Sequence, residues 1–138
     1  MSKAALFAVN TTAQTLTGGG AVDLGSPVHG FGQACCQKII DVPGNNLALR
    51  EGGMYGIVFS ATVTSSAAGT VTLQAYQDGA AIGAPRSVTI ATADDPASVT
   101  VPIGPRVACK ASSIITLVAT TTAGNVVISG VDTLAWKL

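Results

Sequence analysis

Charged side chains are scarce in this sequence. Seven Lys and Arg balance seven Asp and Glu, so that 10% of the residues are charged and the net charge is zero. An average soluble protein carries about 25% charged residues. The basic residues are scattered along the chain rather than clustered, so the sequence predicts no field that would gather phosphates. We therefore expect no direct nucleic-acid binding.

Long apolar runs are also missing, although 48% of the residues are hydrophobic. No stretch approaches the roughly 18 apolar residues that a membrane-spanning helix needs. The first ten residues lack the apolar region and the cleavage site of a secretory signal peptide. The sequence therefore predicts a protein that is made in the cytosol and does not enter a membrane. Such a protein would leave the cell by lysis or within an assembled particle.

Side chains that carry enzyme chemistry are few. His29 is the only histidine, and neither a nucleophile elbow nor a second metal-binding histidine accompanies it. Asp94 and Asp95 are adjacent and precede Pro96, which favours a turn over the separated carboxylates that glycoside cleavage needs. The sequence predicts no catalytic residue, no metal site and no cofactor. We expect a protein that is not an enzyme.

The cysteines do not form a disulfide framework. Cys35, Cys36 and Cys109 are an odd number in a chain without a signal peptide. Adjacent residues of a strand point to opposite faces, which disfavours a metal ion shared by Cys35 and Cys36. We expect buried thiols that act as small hydrophobic side chains. A disulfide between Cys109 and one of the pair, or between subunits, is the alternative.

Alternation of apolar and polar residues is the dominant pattern in the chain. Every second residue from 55 to 63 is apolar, and the alternation resumes over residues 70–76 after a short turn of small residues. This pattern predicts a β-hairpin with one buried face, and Phe59, in the middle of the first strand, is expected in the core. A second hairpin is predicted over residues 114–138. There Trp136 alternates with Leu134 and Leu138, which indicates a core or subunit-interface position, with glycan stacking as the alternative.

Further strands are predicted at residues 4–10, 34–42, 47–50, 87–91 and 98–103. Turns are predicted at 43–46, 77–79 and 94–96, and residues 25–33 read as a loop because they contain Pro27 and two internal glycines. No segment has a helical period with caps. About eight to ten short strands at this spacing predict one all-β sandwich or barrel, a single domain over residues 1–138.

Three motifs resemble those of a known family. Gly53-Met54-Tyr55 opens the long strand, Val71-Thr-Leu-Gln-Ala-Tyr-Gln-Asp-Gly79 is followed by Ala-Ala-Ile-Gly-Ala-Pro85, and Leu134-Ala-Trp-Lys-Leu138 closes the chain. Their order resembles that of the trimeric jelly rolls of the complement globular-head and tumour-necrosis-factor-like superfamily. The resemblance is closer to the compact bacterial and bacteriophage members. At residues 109–113 the chain departs from the Ala-Gly-Asp turn that is frequent among relatives.

The resemblance implies a single antiparallel jelly-roll sandwich with a short amino-terminal arm, assembled as a homotrimer and without catalysis. A jelly roll without a stalk or signal peptide fits a bacteriophage virion protein made in the cytoplasm of the bacterial host. The expected role is a capsid decoration trimer that binds the major capsid protein, or another virion component, and stabilises the shell across capsomers. The alternative is a receptor- or glycan-binding module of a phage fibre or of a bacterial surface structure.

In a decoration protein, apolar segments that are least like strands are free to order on binding. Two segments have this character: the amino-terminal arm and the predicted loop around His29. Their apolar side chains, with the histidine, are the candidate partner-binding residues Ala4, Ala5, Val28, His29 and Phe31.

Overall fold

The structure, a computed structural model, describes residues 3–34 and 37–138. The described residues form fifteen strands and no helix. In chain order the strands are β1 (Ala5–Asn10), β2 (Gln14–Leu16), β3 (Gly20–Ala21), β4 (Ser26–Phe31), β5 (Gln33–Ala34), β6 (Gln37–Lys38), β7 (Ile40–Asp41), β8 (Leu47–Leu49), β9 (Gly53–Ser65), β10 (Gly69–Gln77), β11 (Ala80–Ile90), β12 (Ala97–Ile103), β13 (Arg106–Val107), β14 (Ser113–Thr121) and β15 (Val126–Lys137).

Two antiparallel sheets make up the fold. The front sheet has the strand order β12-β9-β15-β1-β4, with β13 beside β9 and β2 beside β15. The back sheet has the order β11-β10-β14-β8-β7, with β3 beside β14, and β5 pairs only with β6. The predicted all-β antiparallel sandwich is thereby confirmed.

Both predicted hairpins are wrong, although their strands are right. β9 pairs with β12 and β15 in the front sheet, whereas β10 pairs with β11 and β14 in the back sheet. Residues 66–68 therefore carry the chain from one sheet to the other, and residues 122–125 do the same between β14 and β15. Alternation determines which face of a strand is buried, but it does not determine which strand lies beside it.

The core lies between the two sheets and contains the side chains that alternation predicted. Phe59 is fully buried, together with the other apolar residues on its side of β9. From the opposite sheet, Val71, Leu73 and Ala75 of β10 are fully buried and belong to the same cluster. The predicted inward faces of both strands are confirmed.

The turn predicted at residues 77–79 joins the paired strands β10 and β11. Its loop has two residues, Asp78 and Gly79. Asp78 and Gly79 have φ angles of 51° and 87°. Positive φ at both central residues is typical of the type I′ turn, for which Asp-Gly is a favoured sequence. The Asp78 carboxylate also accepts a hydrogen bond of 2.9 Å from the backbone N–H of Ile114, which ties the turn to β14.

The loop predicted at residues 25–33 is wrong, because residues 26–31 form β4, antiparallel to β1. Pro27 is compatible with a strand here because β4 is at the edge of the front sheet, where a missing N–H breaks no ladder. The strand predicted at 34–42 is divided among three strands in its described part, because Ala34 belongs to β5 and the later residues form β6 and β7.

The cysteine predictions have different outcomes. Cys35 and Cys36 lie outside the described residues. Cys109 is exposed and makes no disulfide within the described part of the chain, so the expectation of a buried thiol is wrong at this position. It lies between β13 and β14, in a segment where the chain turns at the end of the sandwich.

One core position carries a polar group without a partner. Thr133 on β15 is fully buried, and its hydroxyl makes no hydrogen bond to any described residue. A buried polar group without a partner costs about 1–3 kcal/mol. We expect Thr133→Val, which exchanges the hydroxyl for a methyl group, to raise the free energy of unfolding by roughly 1 kcal/mol in urea denaturation at fixed protein concentration.

Thr121→Val is the matched control, since the Thr121 hydroxyl donates a hydrogen bond of 2.9 Å to the carbonyl of Ala123. This variant should lose stability. If Thr133→Val lost as much as Thr121→Val, the Thr133 hydroxyl would have to be satisfied, for example by a buried water molecule.

Candidate functional site

The outer face of the front sheet is apolar at one end. Phe31, Ala5 and Trp136 lie side by side on β4, β1 and β15, as successive cross-strand neighbours. In the next row, Phe7 lies beside Leu134, which lies beside Val58 on β9. Met54 and Leu138 extend the surface beyond the first row, where the N–H of Leu138 bonds to the carbonyl of Met54. We name this surface the apolar face; its residues are Ala5, Phe7, Phe31, Met54, Val58, Leu134, Trp136 and Leu138.

Large side chains of the apolar face are open to solvent. Met54 and Leu134 are each 46% exposed, Phe31 is 65% exposed and Leu138 67%. Beyond the two apolar rows the same side of the sheet becomes polar, beginning with Asp132 beside Ser60. A contiguous exposed apolar surface with a polar border is typical of an interaction site.

The indole of Trp136 lies against the backbone of Gly56. The two residues are directly opposite each other on β15 and β9, and a Cβ at position 56 would overlap the indole ring. A glycine in the interior of a strand often marks such a close approach, and an aromatic ring on the neighbouring strand covers the gap it leaves. Gly56 therefore allows the Trp136 ring to lie within the apolar face.

The predicted contact residues fall into three groups. Ala5 and Phe31 belong to the apolar face, and His29 borders it beside Phe7. Val28 is 54% exposed and is the residue of β4 without a partner on β1, at the register shift between the Phe7–His29 and Ala8–Pro27 pairs. Ala4 is 2% exposed, so its inclusion is corrected: its side chain packs in the core and presents no contact surface.

Sequence reasoning found only part of the apolar face. The prediction that Leu134, Trp136 and Leu138 share one face is confirmed, and that face is the outer one. Phe7, Met54 and Val58 were missed. A signal was present at Val58, because it is an apolar residue on the side of its strand opposite to Phe59, a pattern typical of strands covered on both faces.

A second region is a groove of about 1370 Å³ at one end of the sandwich. It gathers four of the seven basic residues, although these are far apart in sequence. We name it the cationic groove; its basic residues are Arg50, Arg106, Lys110 and Lys137. The scatter of basic residues along the sequence therefore does not persist in the fold.

Two of these cations have acidic partners. Lys137, whose side chain is 4% exposed, forms an ion pair with Glu51, and Arg50 contacts Asp41 at 3.2 Å. The Lys137 side chain passes over Gly53, where a Cβ would lie 2.7 Å from its Cε. The absence of a side chain at Gly53 thus leaves space for Lys137.

The hydroxyl of Tyr55 fixes the same corner by donating a hydrogen bond of 2.5 Å to the carbonyl of Glu51. Burial raises the pKa of the Tyr55 phenol above its ordinary value, which keeps the hydroxyl protonated as a donor. The other two cations, Arg106 and Lys110, are exposed and form no ion pair with any described residue.

Other site types have little support in the described residues. Over residues 3–34 and 37–138, no three His, Cys, Asp or Glu side chains converge as metal ligands. Within the same ranges, no helix has the length and apolar character needed to cross a membrane. That the chain is not an enzyme stays a prediction.

Comparison with known proteins identifies the fold. No protein-family model and no curated protein matches the chain, but solved structures match it over nearly its full length. Murine APRIL is 14% identical with a TM-score of 0.70, covering 99% of each chain. The globular domain of zebrafish complement 1qA protein is 9% identical with a TM-score of 0.63, covering 97% of this chain and 96% of its own.

A third structural relative is the PRD1 vertex protein P5. It is 12% identical with a TM-score of 0.55, covering 97% of this chain and 72% of its own. At these identities the likeness is one of fold. The chain therefore has the jelly-roll fold of tumour-necrosis-factor-like and complement globular domains, as the resemblance of its motifs implied.

Proposed function

We propose that the chain is a structural protein of a bacteriophage virion, a homotrimer that decorates the capsid and stabilises the shell across neighbouring capsomers. The observation that carries this proposal is the apolar face, since an exposed surface of this kind calls for a covering partner. The fold likeness to the vertex protein of PRD1, a phage, supports a place in a virion. In this role the protein is made in the cytoplasm of its bacterial host.

A second copy of the chain suits the apolar face. Its eight residues carry no charged side chain, so covering them leaves no ion without a partner. Burial of roughly 1,000 Å² of apolar surface at about 25 cal/mol/Å² gives a gross gain of about 25 kcal/mol before the costs of association. Closed symmetric assembly is the usual way for one surface of a chain to be covered by copies of itself.

Attachment to the shell needs a surface that remains open in the trimer. The outward edge of β4 is such a surface, because no described strand pairs with it. Exposed Val28 lies on this edge strand and lines a cavity of about 220 Å³ with Pro27 and Lys38, which Ala5 and Phe31 of the apolar face also border. An unpaired strand edge can accept an extended segment of another protein as an additional strand. We propose that the major capsid protein contacts this edge.

The test is attachment to undecorated capsids of the cognate phage. Val28→Asp should keep the oligomeric mass and the circular dichroism spectrum but reduce attachment in a co-sedimentation assay, because it places a charge in an apolar contact. Thr89→Asp is the control, an exposed position on β11, the edge strand of the back sheet. Equal attachment of Val28→Asp and Thr89→Asp would contradict a shell contact at β4.

A glycan-binding module is the second candidate function. It is favoured by the Trp136 indole, which is half-buried and lies in the outer face of the sheet, as a ring that stacks on a sugar would. Binding of the isolated protein to a cell-surface glycan, abolished in Trp136→Ala, would favour this function over decoration.

A further inference from the structure

We propose that the cationic groove binds an oxyanion ligand that presents two or more carboxylate or phosphate groups. The proposal goes beyond the virion role and does not depend on it. Its starting observation is the concentration of basic residues: four of the seven in the chain line one groove at one end of the molecule. In a chain with so few charges, such convergence produces a local positive field that the net charge of zero conceals.

The charges of the groove are not balanced. Glu51 neutralises the charge of Lys137, and Asp41 neutralises that of Arg50. Arg106 and Lys110 remain, because neither forms an ion pair with a described residue. The groove therefore keeps a positive excess that an anion can neutralise.

The unpaired groups are donors that suit oxyanions. The guanidinium of Arg106 offers a planar set of N–H groups that matches a carboxylate or phosphate in a bidentate manner. The ammonium of Lys110 and the hydroxyl of Ser112 line the same groove and add further donors. Lys110 has a φ of 60°, so it stands at a sharp turn of the backbone, where its side chain is exposed.

The groove is built on a fixed floor. Residue 51 is held by the Lys137 ion pair and by the Tyr55 hydrogen bond. Gly52 packs so closely against the backbone of Ala108 that a Cβ would lie 2.8 Å from its carbonyl oxygen. The two segments that line the groove are thus held against each other, and a preformed site loses less entropy when it binds.

The size of the groove favours a multivalent ligand. Its volume of about 1370 Å³ exceeds the range of roughly 300–1,000 Å³ that is typical of small-molecule pockets. A single phosphate would leave most of it open. Two sources present several oxyanion groups together: a free multivalent anion, and neighbouring acidic side chains of a protein segment.

The experiment is a titration of the isotope-labelled protein, followed by amide chemical shifts at low salt and neutral pH. The probes are citrate, pyrophosphate and a hexaglutamate peptide. We expect shifts at residues 50–54 and 106–112 and an affinity that falls as salt is added. Arg106→Ala combined with Lys110→Ala should weaken binding by roughly tenfold or more, since charge-assisted hydrogen bonds are lost.

Arg86→Ala is the matched control, because Arg86 is an exposed arginine on β11 and does not line the groove. It should bind like the unchanged protein. Tighter binding of hexaglutamate than of citrate would identify the acidic side chains of a protein as the ligand source, and the reverse would identify a free anion. No shift with any probe, or equal weakening by Arg86→Ala, would overturn the proposal.

The outcome is separate from that of the virion proposal. Anion binding in the groove is measured by amide chemical shifts of the isolated protein and depends on salt. Self-association through the apolar face is measured by the oligomeric mass. Met54 and Leu138 line the groove and also belong to the apolar face, but neither supplies a charge to the proposed anion site, so either result leaves the other standing.

Discussion

Phe59→Ala should lower the free energy of unfolding by about 3–5 kcal/mol, the range for loss of a fully buried phenylalanine. The ring lies between the sheets at the centre of β9, flanked in register by Val101 and Thr133 on the neighbouring strands. Both neighbours are fully buried as well, so the cavity left by the ring has little freedom to collapse. Chemical denaturation at a fixed protein concentration measures the loss.

Ser60→Ala serves as the control, because Ser60 is the next residue of the same strand and is exposed on the outer face. A substitution there should change stability by no more than about 0.5 kcal/mol. If both variants were equally stable, β9 would have to be shifted by one residue, which exchanges its two faces.

Leu134→Asp should convert the protein from a trimer to a monomer. In dilute neutral buffer we expect the unchanged protein to scatter light as a particle of three times the chain mass of 13.7 kDa. Leu134 is in the middle of the apolar face and 46% exposed in the isolated chain. An aspartate there costs the monomer only the cross-strand contacts with Phe7 and Val58, about 1 kcal/mol, but it places a charge in the covered interface, a penalty of several kcal/mol per subunit.

Thr120→Asp is the control for charge in a strand, since Thr120 is exposed on β14 in the back sheet, on the opposite side of the molecule. It should remain trimeric. Circular dichroism should show both variants folded, because neither side chain enters the core. A monomeric mass for the unchanged protein at micromolar concentration would refute self-association through this face, and so would a trimeric Leu134→Asp.

The Phe59→Ala and Leu134→Asp experiments test different properties of the protein. The inward side of β9 determines whether the sandwich folds, and the outward side of β15 determines what the folded sandwich contacts. The groove test adds a third property, because the unpaired cations Arg106 and Lys110 are exposed and belong neither to the core nor to the apolar face.

Prediction from the sequence succeeded where the signal is local. The strand at residues 55–63, its buried face and the turn at Asp78-Gly79 follow from alternation and from the φ preferences of single residues. Contacts between distant segments were missed. The loop predicted at residues 25–33 rests on Pro27 and two glycines, and only the position of β4 at a sheet edge makes that proline compatible with a strand.

Strand β15 also shows what the sequence predicts and what only the fold decides, at Trp136 and Lys137. Alternation placed Trp136 and Lys137 on opposite faces, but composition alone would bury the tryptophan and expose the lysine. The fold does the reverse: Lys137 is buried over Gly53 and paired with Glu51, and Trp136 lies outside against Gly56. Both arrangements depend on a glycine in β9, a strand distant in sequence.

The sequence by itself determined that this is an all-β domain, where most of its strands lie and which of their sides face the core, because a period of two is written into consecutive residues. Only the tertiary structure decided which strands share a sheet, that the second side of the front sheet is apolar, and that Arg50, Arg106, Lys110 and Lys137 meet in one groove. These features depend on how the two sheets bury their faces together, a property of the whole chain rather than of any segment.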